Sequence, residues 1–161
     1  MDNIKNNAKV IFLETSGRLF VFSHKKKIQI PFDPSYINNE EGTLDSRYFA
    51  NLFQDALKLI SPKVKTWNLV FALPITQIIP YSFNQSCLPQ HQLEREVIYY
   101  FQHHCHINIC DYEFILNFKT QKSAAIKKTY LQNMKKIFEL VALPICVQFA
   151  LPSEFEGDSY E

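Results

Sequence analysis

The 161-residue sequence contains only three glycines, Gly17, Gly42 and Gly157. A phosphate site built from loop backbone depends on glycine, because glycine lets backbone amides approach the phosphate closely. The three glycines stand far apart and none belongs to a glycine-rich loop. The sequence therefore argues against ATP binding, and we expect no cofactor.

Excess charge and long apolar runs are also missing. A formal net charge of +1 gives no long-range field that would draw the protein to nucleic acid or to anionic lipid. The basic run Lys25–Lys27 falls in a predicted hairpin turn, where lysines are solvated and protect a strand edge. No apolar run approaches the roughly 20 residues that span a bilayer, and the N-terminus lacks the layout of a secretory signal. We therefore expect a cytoplasmic protein that binds no nucleic acid and meets a membrane only indirectly.

The cysteines and histidines form no complete metal or catalytic signature. The cysteines are Cys87, Cys105, Cys110 and Cys146, and their spacing indicates no disulfide framework. His106 and Cys110 have a spacing that zinc ligands use, but no second pair accompanies them. We interpret the histidines at 103–106 as a helix C-terminus, where they complement the helix dipole, and keep a zinc-binding adaptor as an alternative. No nucleophile signature is present, so we expect no enzyme.

Apolar periodicity predicts the element order β-β-β-α-β-β-α-β-β-α-β. The first three strands, within residues 9–32, are predicted to form an antiparallel meander, and Asp45 or Ser46 is expected to cap the first helix, which Pro62 would stop. Proline lacks a backbone N–H, so Pro74 is expected to end the strand that begins at Trp67. Mixed strands and helices indicate an α+β fold.

Four segments, in order, resemble the N-terminal half of the PilM family, the actin-like component of type IV pilus and transformation-pilus assembly. They are EEGTLDSRYFANLFQDALKLI, NLVFALP, LPQHQLEREVIYYFQHHCHINICDYEFIL and SAAIKKTYLQNMKKIFELVALPICVQFALPSEF. The resemblance implies a partial actin-like (ribonuclease H-like) mixed sheet with an inserted SHS2-type β-α-β subdomain. It places the actin-like core at 1–74 and 121–152 and the insertion at 75–120. The acidic composition of residues 153–161 indicates a flexible tail.

The sequence departs from the family at its first turn. The family has an acidic-Gly-Ser-Ser phosphate loop there, whereas this sequence has Glu14-Thr15-Ser16-Gly17-Arg18. The second actin-like half, which would complete the nucleotide site, has no counterpart in the sequence. We therefore do not carry over the ATP binding of the family.

The resemblance implies a non-enzymatic scaffold for pilus or DNA-uptake assembly at the inner membrane. In the family, the N-terminal tail of the membrane protein PilN lies in a groove between the core and the inserted subdomain, where apolar pockets and main-chain hydrogen bonds suffice. The expected groove walls are Leu73, Pro74, Ile75, Tyr99, Tyr100 and His103. An adaptor resembling the cytoplasmic domain of the type II secretion protein GspL is a further alternative. Apolar surface left by the missing half would favour self-association.

Overall fold

The fold consists of two sheets and three helices. The computed structural model describes residues 9–14, 16–23, 26–60, 66–84 and 88–152. The strands are β1 (Lys9–Glu14), β2 (Arg18–Ser23), β3 (Lys26–Pro31), β4 (Trp67–Ala72), β5 (Ile78–Ser82), β6 (Tyr112–Asn117), β7 (Lys122–Lys127) and β8 (Ile145–Ala150). The helices are α1 (Ser46–Ile60), α2 (Gln90–His104) and α3 (Lys128–Leu140). The predicted element order is confirmed. The helix stop at Pro62, the thiol of Cys87 and the acidic tail lie outside the described residues.

The larger sheet is mixed, with strand order β3-β2-β1-β4-β8. The first three strands form the predicted antiparallel meander, and β4 and β8 then add in parallel on the other side of β1. Gly17 makes the tight turn between β1 and β2 at φ +114°, and a Cβ there would lie 2.8 Å from the Phe32 carbonyl oxygen. The first turn therefore requires glycine for its backbone conformation and for its contact with Phe32.

Helices α1 and α3 cover one face of this sheet and enclose the main core. The Asp45 side chain caps α1 by accepting a hydrogen bond from the Tyr48 backbone N–H at 2.9 Å. The apolar residues at helical spacing on α1, namely Phe49, Phe53, Ala56 and Ile60, are buried. Asn133 of α3 binds the chain just before α1: its side-chain oxygen accepts from the Leu44 N–H, and its amide donates to the Leu44 carbonyl, both at 2.9 Å. The two helices are thus joined to each other and to the segment that begins α1.

The smaller sheet has strand order β5-β7-β6 and is covered by α2. Its own buried cluster consists of Phe83, Val97, Phe101 and Ala125. Helical spacing alone predicts that His104 shares the apolar stripe of α2 with Leu93, Val97 and Phe101, and this prediction is wrong. His104 is exposed in the last helical turn, where its ring stacks on Tyr100 with centroids 5.0 Å apart. The end of the helix, rather than its periodicity, decides the exposure of this side chain.

Strand β7 extends the smaller sheet past the boundary that the sequence placed at residue 120. It pairs with β5 on one side and with β6 on the other. Ala124 and Ile126 pack into the main core, whereas Ala125, between them, packs into the smaller cluster. A strand buried on both faces shows no alternation of apolar and polar residues, so a period of two does not reveal it in the sequence. The division into domains stays a prediction.

None of the described helices is both long and apolar enough to cross a bilayer.

Candidate functional site

An apolar groove lies where the chain passes from the larger sheet to the smaller one. Its volume is about 190 Å³. We call it the crossover groove; it is lined by Ile75, Ile78, Pro80, Tyr81, Ser82, Lys122, Ser123, Leu151 and Pro152. These residues come from the segment after β4, from β5, from β7 and from the end of β8. The site therefore exists only because both sheets meet there.

The segment after β4 presents an apolar side chain to solvent. Pro74 ends the strand and is buried, and a single 3₁₀ turn follows, in which the Gln77 N–H donates to the Pro74 carbonyl at 3.0 Å. This turn raises Ile75 out of the surface, so that 72% of the side chain is exposed. Single exposed apolar residues are normal on protein surfaces, so Ile75 is relevant here because it lines the crossover groove.

The outer edge of β5 forms one side of the groove. The Phe83 N–H donates to the Gln121 carbonyl at 3.0 Å, and hydrogen-bonded pairs alternate along an antiparallel ladder. The backbone of residues 79 and 81 therefore bonds to β7, whereas the backbone of residues 78, 80 and 82 points toward the open edge. Pro80 occupies the middle of that edge and has no N–H to offer. A guest strand can therefore pair with β5 only in part.

Stacked aromatic rings hold the groove wall in place. The rings of Tyr81 and Tyr100 stack with centroids 3.6 Å apart, and Phe101 meets Tyr81 edge-on at 6.0 Å. The buried Ser123 hydroxyl donates to the Tyr81 carbonyl at 2.7 Å. Tyr81 is thus held by α2 on one side and by β7 on the other.

The six residues that the sequence proposed as groove walls occupy four different environments. Ile75 lines the groove, and Tyr100 supports it from behind Tyr81. Leu73 and Pro74 are buried and do not line it. The remaining two residues, Tyr99 and His103, lie on the exposed face of α2 with ring centroids 4.0 Å apart, and they do not line the groove.

Sequence reasoning missed most of the groove lining. Pro80 gave the one available signal, because a proline inside a strand indicates an edge strand. Lys122 and Ser123 come from β7, whose pairing the sequence did not reveal. Leu151 and Pro152 follow β8 and reach the groove only because β8 pairs with β4.

A second, more polar groove lies on the opposite side of the same crossover. It is lined by Asn39, Glu40, Glu41, Gly42, Thr76, Gln77, Ile78, Ile79, Tyr112 and Lys127. Gly42, at φ +70°, lies directly against the side chain of Gln77, so that no Cβ fits between them. This contact gives a physical reason for glycine in the Gly-Thr-Leu-Asp stretch that leads into α1: Gly42 admits the crossover, Leu44 is buried, and Asp45 caps the helix.

The electrostatics of the crossover groove are simple. Lys122 contributes the single charged side chain of its lining. In the described part of the chain, no three His, Cys, Asp or Glu side chains are grouped so that they could hold a metal ion. The arrangement offers apolar surface, outward backbone carbonyls and one cation, which are features used to bind a polypeptide segment.

The fold resembles that of solved structures from bacterial assembly systems. No family model matches the chain, and no curated protein is similar to it in sequence. A chain of a PilM–PilN type IV pilus biogenesis complex superposes with a TM-score of 0.65 at 15% identity, over 89% of this chain and 47% of that one. The chain has a PilM-like fold. This confirms the predicted α+β class, and the larger sheet is mixed, as expected.

A second similar structure is the cytoplasmic domain of EpsL, an inner-membrane component of the type II secretion system of Vibrio cholerae. It superposes with a TM-score of 0.53 at 12% identity, over 90% of this chain and 56% of that domain. This chain thus spans about half the length of each of the two solved structures. At these identities the likeness establishes the fold alone.

Proposed function

We propose that this chain is a non-enzymatic scaffold of type IV pilus or DNA-uptake pilus assembly, on the cytoplasmic face of the inner membrane. In this proposal, the crossover groove docks the N-terminal tail of a PilN-like membrane protein, which alone links the chain to the membrane. The smaller sheet with α2 serves as the SHS2-type subdomain. The observation that carries the proposal is the likeness to the PilM–PilN complex.

The groove chemistry supports docking of an extended tail held mainly by side-chain anchors. Because Pro80 interrupts the N–H row of β5, a tail cannot add to the sheet as a complete strand. Apolar anchors of the tail would pack against Ile75 and Leu151. An acidic group on the tail would pair with Lys122.

The first turn supports a role without nucleotide. The Gly17 N–H, which a phosphate loop would direct at its ligand, donates to the Glu14 carbonyl at 3.1 Å. The Glu14 carboxylate pairs with Arg18 at 2.9 Å and accepts from the Ser16 hydroxyl at 3.2 Å. A phosphate at this turn would meet a carboxylate instead of free amides, and the two negative charges would repel each other.

A second candidate function is that of an adaptor protein in type II secretion. The likeness to the EpsL domain favours it. The same groove would then hold a segment of a secretion ATPase. Binding of such an ATPase, with no binding of a PilN-like tail, would select this candidate over the first.

The test is a titration of the chain with a fluorescent peptide that carries the N-terminal residues of the PilN-like protein from the same genome. We expect micromolar binding to the wild type and, for Ile75→Asp, a Kd about tenfold higher or more, because the charge would be buried against the peptide. Leu59→Asp is the matched control. Leu59 is 67% exposed, close to the exposure of Ile75, but lies on α1. It should leave Kd unchanged.

The absence of binding at high micromolar concentration would contradict the proposal. Equal weakening by Ile75→Asp and Leu59→Asp would also contradict it, because the effect would then not belong to the groove.

A further inference from the structure

The two edges of the larger sheet differ in a way that points to a second interface. Strand β3, at one edge, carries the exposed residues Lys26 and Lys27 and ends at Pro31. Charges and proline on an edge strand discourage pairing with another chain. Strand β8, at the other edge, has the sequence Ile-Cys-Val-Gln-Phe-Ala, without charge, glycine or proline. By these criteria, one edge is protected against pairing and the other is not.

The backbone of β8 is arranged to accept a further strand. Trp67 donates to the Pro144 carbonyl and Leu73 to the Ala150 carbonyl, both at 2.9 Å. Since alternate residues of a strand bond to the same neighbour, the even-numbered residues of β8 bond to β4. The N–H and C=O groups of residues 145, 147 and 149 therefore point to the open edge.

The side chains beside this edge form an apolar groove with opposite charges on it. The groove has a volume of about 370 Å³ and is lined by Lys135, Phe138, Glu139, Ile145, Val147 and Phe149. Lys135 and Glu139 are both exposed and lie one turn apart on α3. Within the described part of the chain, neither side chain forms an ion pair.

We propose that β8 and α3 form a two-fold symmetric interface between two copies of this chain. With the two-fold axis at Val147, antiparallel pairing sets Val147 opposite its own copy and Ile145 opposite Phe149. Residues 145, 147 and 149, whose backbone groups point to the open edge, then all form hydrogen-bonded pairs with the second copy. The same axis brings Lys135 toward Glu139 of the second copy. We choose a second copy as the partner of this edge because the strand can pair with itself and because the charges on α3 are complementary between copies.

This inference specifies the surface for the self-association that the sequence led us to expect. It concerns residues outside the crossover groove, so peptide docking and dimerisation can fail separately. Its readout is oligomeric state measured without peptide.

The first experiment measures the mass of the wild-type chain by sedimentation equilibrium from low to high micromolar concentration. We expect a reversible dimer. Val147→Pro removes an outward N–H without removing a bond to β4, and proline is tolerated on an outer edge. It should raise the dimer Kd about tenfold or more. A chain that stays monomeric at high micromolar concentration, or a dimer that Val147→Pro leaves intact, overturns the proposal.

The second experiment exchanges charges at exposed positions, which keeps the test valid if Val147→Pro folds poorly. Lys135→Glu and Glu139→Lys should each weaken the dimer about tenfold, since each sets like charges across the axis. An equimolar mixture of the two variants should dimerise as well as the wild type, because the mixed pair restores both attractions. Lys136→Glu is the matched control on the same helix and should have no effect. Failure of the mixture to recover dimers would overturn the assignment.

A third measurement locates the interface. Diagonal neighbours across paired strands lie about 7–8 Å apart, so a short bismaleimide should link the two exposed Cys146 thiols of a dimer. The Cys146→Ser variant should then lose the cross-link and keep the dimer. Cross-linking through Cys110 instead would place the interface elsewhere and overturn the proposal.

Discussion

The two sheets of this chain are stabilised to very different extents. In the larger unit, Phe53 contacts Phe49, Phe71 and Phe138 with ring centroids 6.2, 6.3 and 5.2 Å apart, and all four are buried. In the smaller unit, the side chains of β6 are all half-exposed, and the buried cluster is small. Burial of apolar area is the main source of stability, so the smaller unit has little of its own.

The smaller sheet depends on the larger unit through β7. The side chains of this strand alternate between the two cores, so β7 cannot leave its position without opening both. Strands β5 and β6 each pair with β7. The smaller unit therefore uses a strand that the main core holds in place, and we expect its outer parts to open locally before the chain unfolds.

The largest effect should come from the main core. Phe53→Ala removes a ring with no exposed surface and leaves a cavity among three other rings, so we expect a loss of about 3–5 kcal/mol in the free energy of unfolding. Urea denaturation followed by circular dichroism measures it. Leu59→Ala, on the exposed side of the same helix, should change stability by less than about 0.5 kcal/mol. A similar loss for both variants would contradict the description of this core.

A smaller global effect is expected from the corresponding change in the other cluster. Phe101→Ala also empties a fully buried site, but the smaller sheet can open while the main core stays folded. Hydrogen exchange should show faster exchange in α2 and β6, with β1 and β4 unchanged. Uniform acceleration in both sheets would mean that the two units unfold together and that the distinction between them fails.

Adjacent alanines of β7 offer a matched pair. Ala124→Val adds volume to the main core and Ala125→Val adds it to the smaller cluster, and overpacking costs about 1–3 kcal/mol in each case. Ala124→Val should therefore lower global stability, whereas Ala125→Val should mainly accelerate exchange in α2. Thermal melts combined with hydrogen exchange separate the two responses. Identical exchange patterns would show that β7 does not divide the cores.

The smallest expected effect is an increase in stability, from a change at Tyr130. Tyr130 is 2% exposed, and its hydroxyl has no hydrogen-bond partner among the described residues. Burial raises the pKa of this phenol above its ordinary value of 10.0. Tyr130→Phe should therefore raise stability by up to about 1 kcal/mol at neutral pH, as it removes an unsatisfied polar group from the main core. Tyr99→Phe, at an exposed site, should change nothing.

The pH dependence sharpens this prediction. Above pH 10 the unfolded chain releases the Tyr130 proton while the folded chain retains it, so wild-type stability falls as pH rises. Tyr130→Phe should lack that part of the decline. Chemical denaturation between pH 9 and 11 measures the free energy of unfolding of the wild type and of Tyr130→Phe. An equal decline of this free energy in the two proteins would contradict the prediction.

Much of the fold could be predicted because local chemistry determines it. Asp45 caps α1 from its own flanking sequence, Gly17 makes its own turn, and the apolar stripes of α1 and α3 follow helical spacing. Pro74 ends β4 because proline has no N–H to donate. Where these rules act within a few residues, the expected elements appear at their places.

The candidate site was harder to predict because it depends on contacts between distant residues. Leu73, an expected wall, is fully buried in the main core, and its N–H bonds to the Ala150 carbonyl at the end of β8. Lys122 and Leu151 line the groove although they are far apart in the chain, and nothing near either residue signals the other.

By itself, the amino-acid sequence determined the order of strands and helices, the turns and the caps, because these depend on backbone preferences and on interactions between near neighbours. Only the tertiary structure decided that β7 lies between two cores, that Ile75 projects beside Leu151, and that β8 leaves its odd-numbered backbone groups at an open edge. Strand pairing brings together residues that are far apart in the chain. A local sequence pattern therefore cannot predict these features.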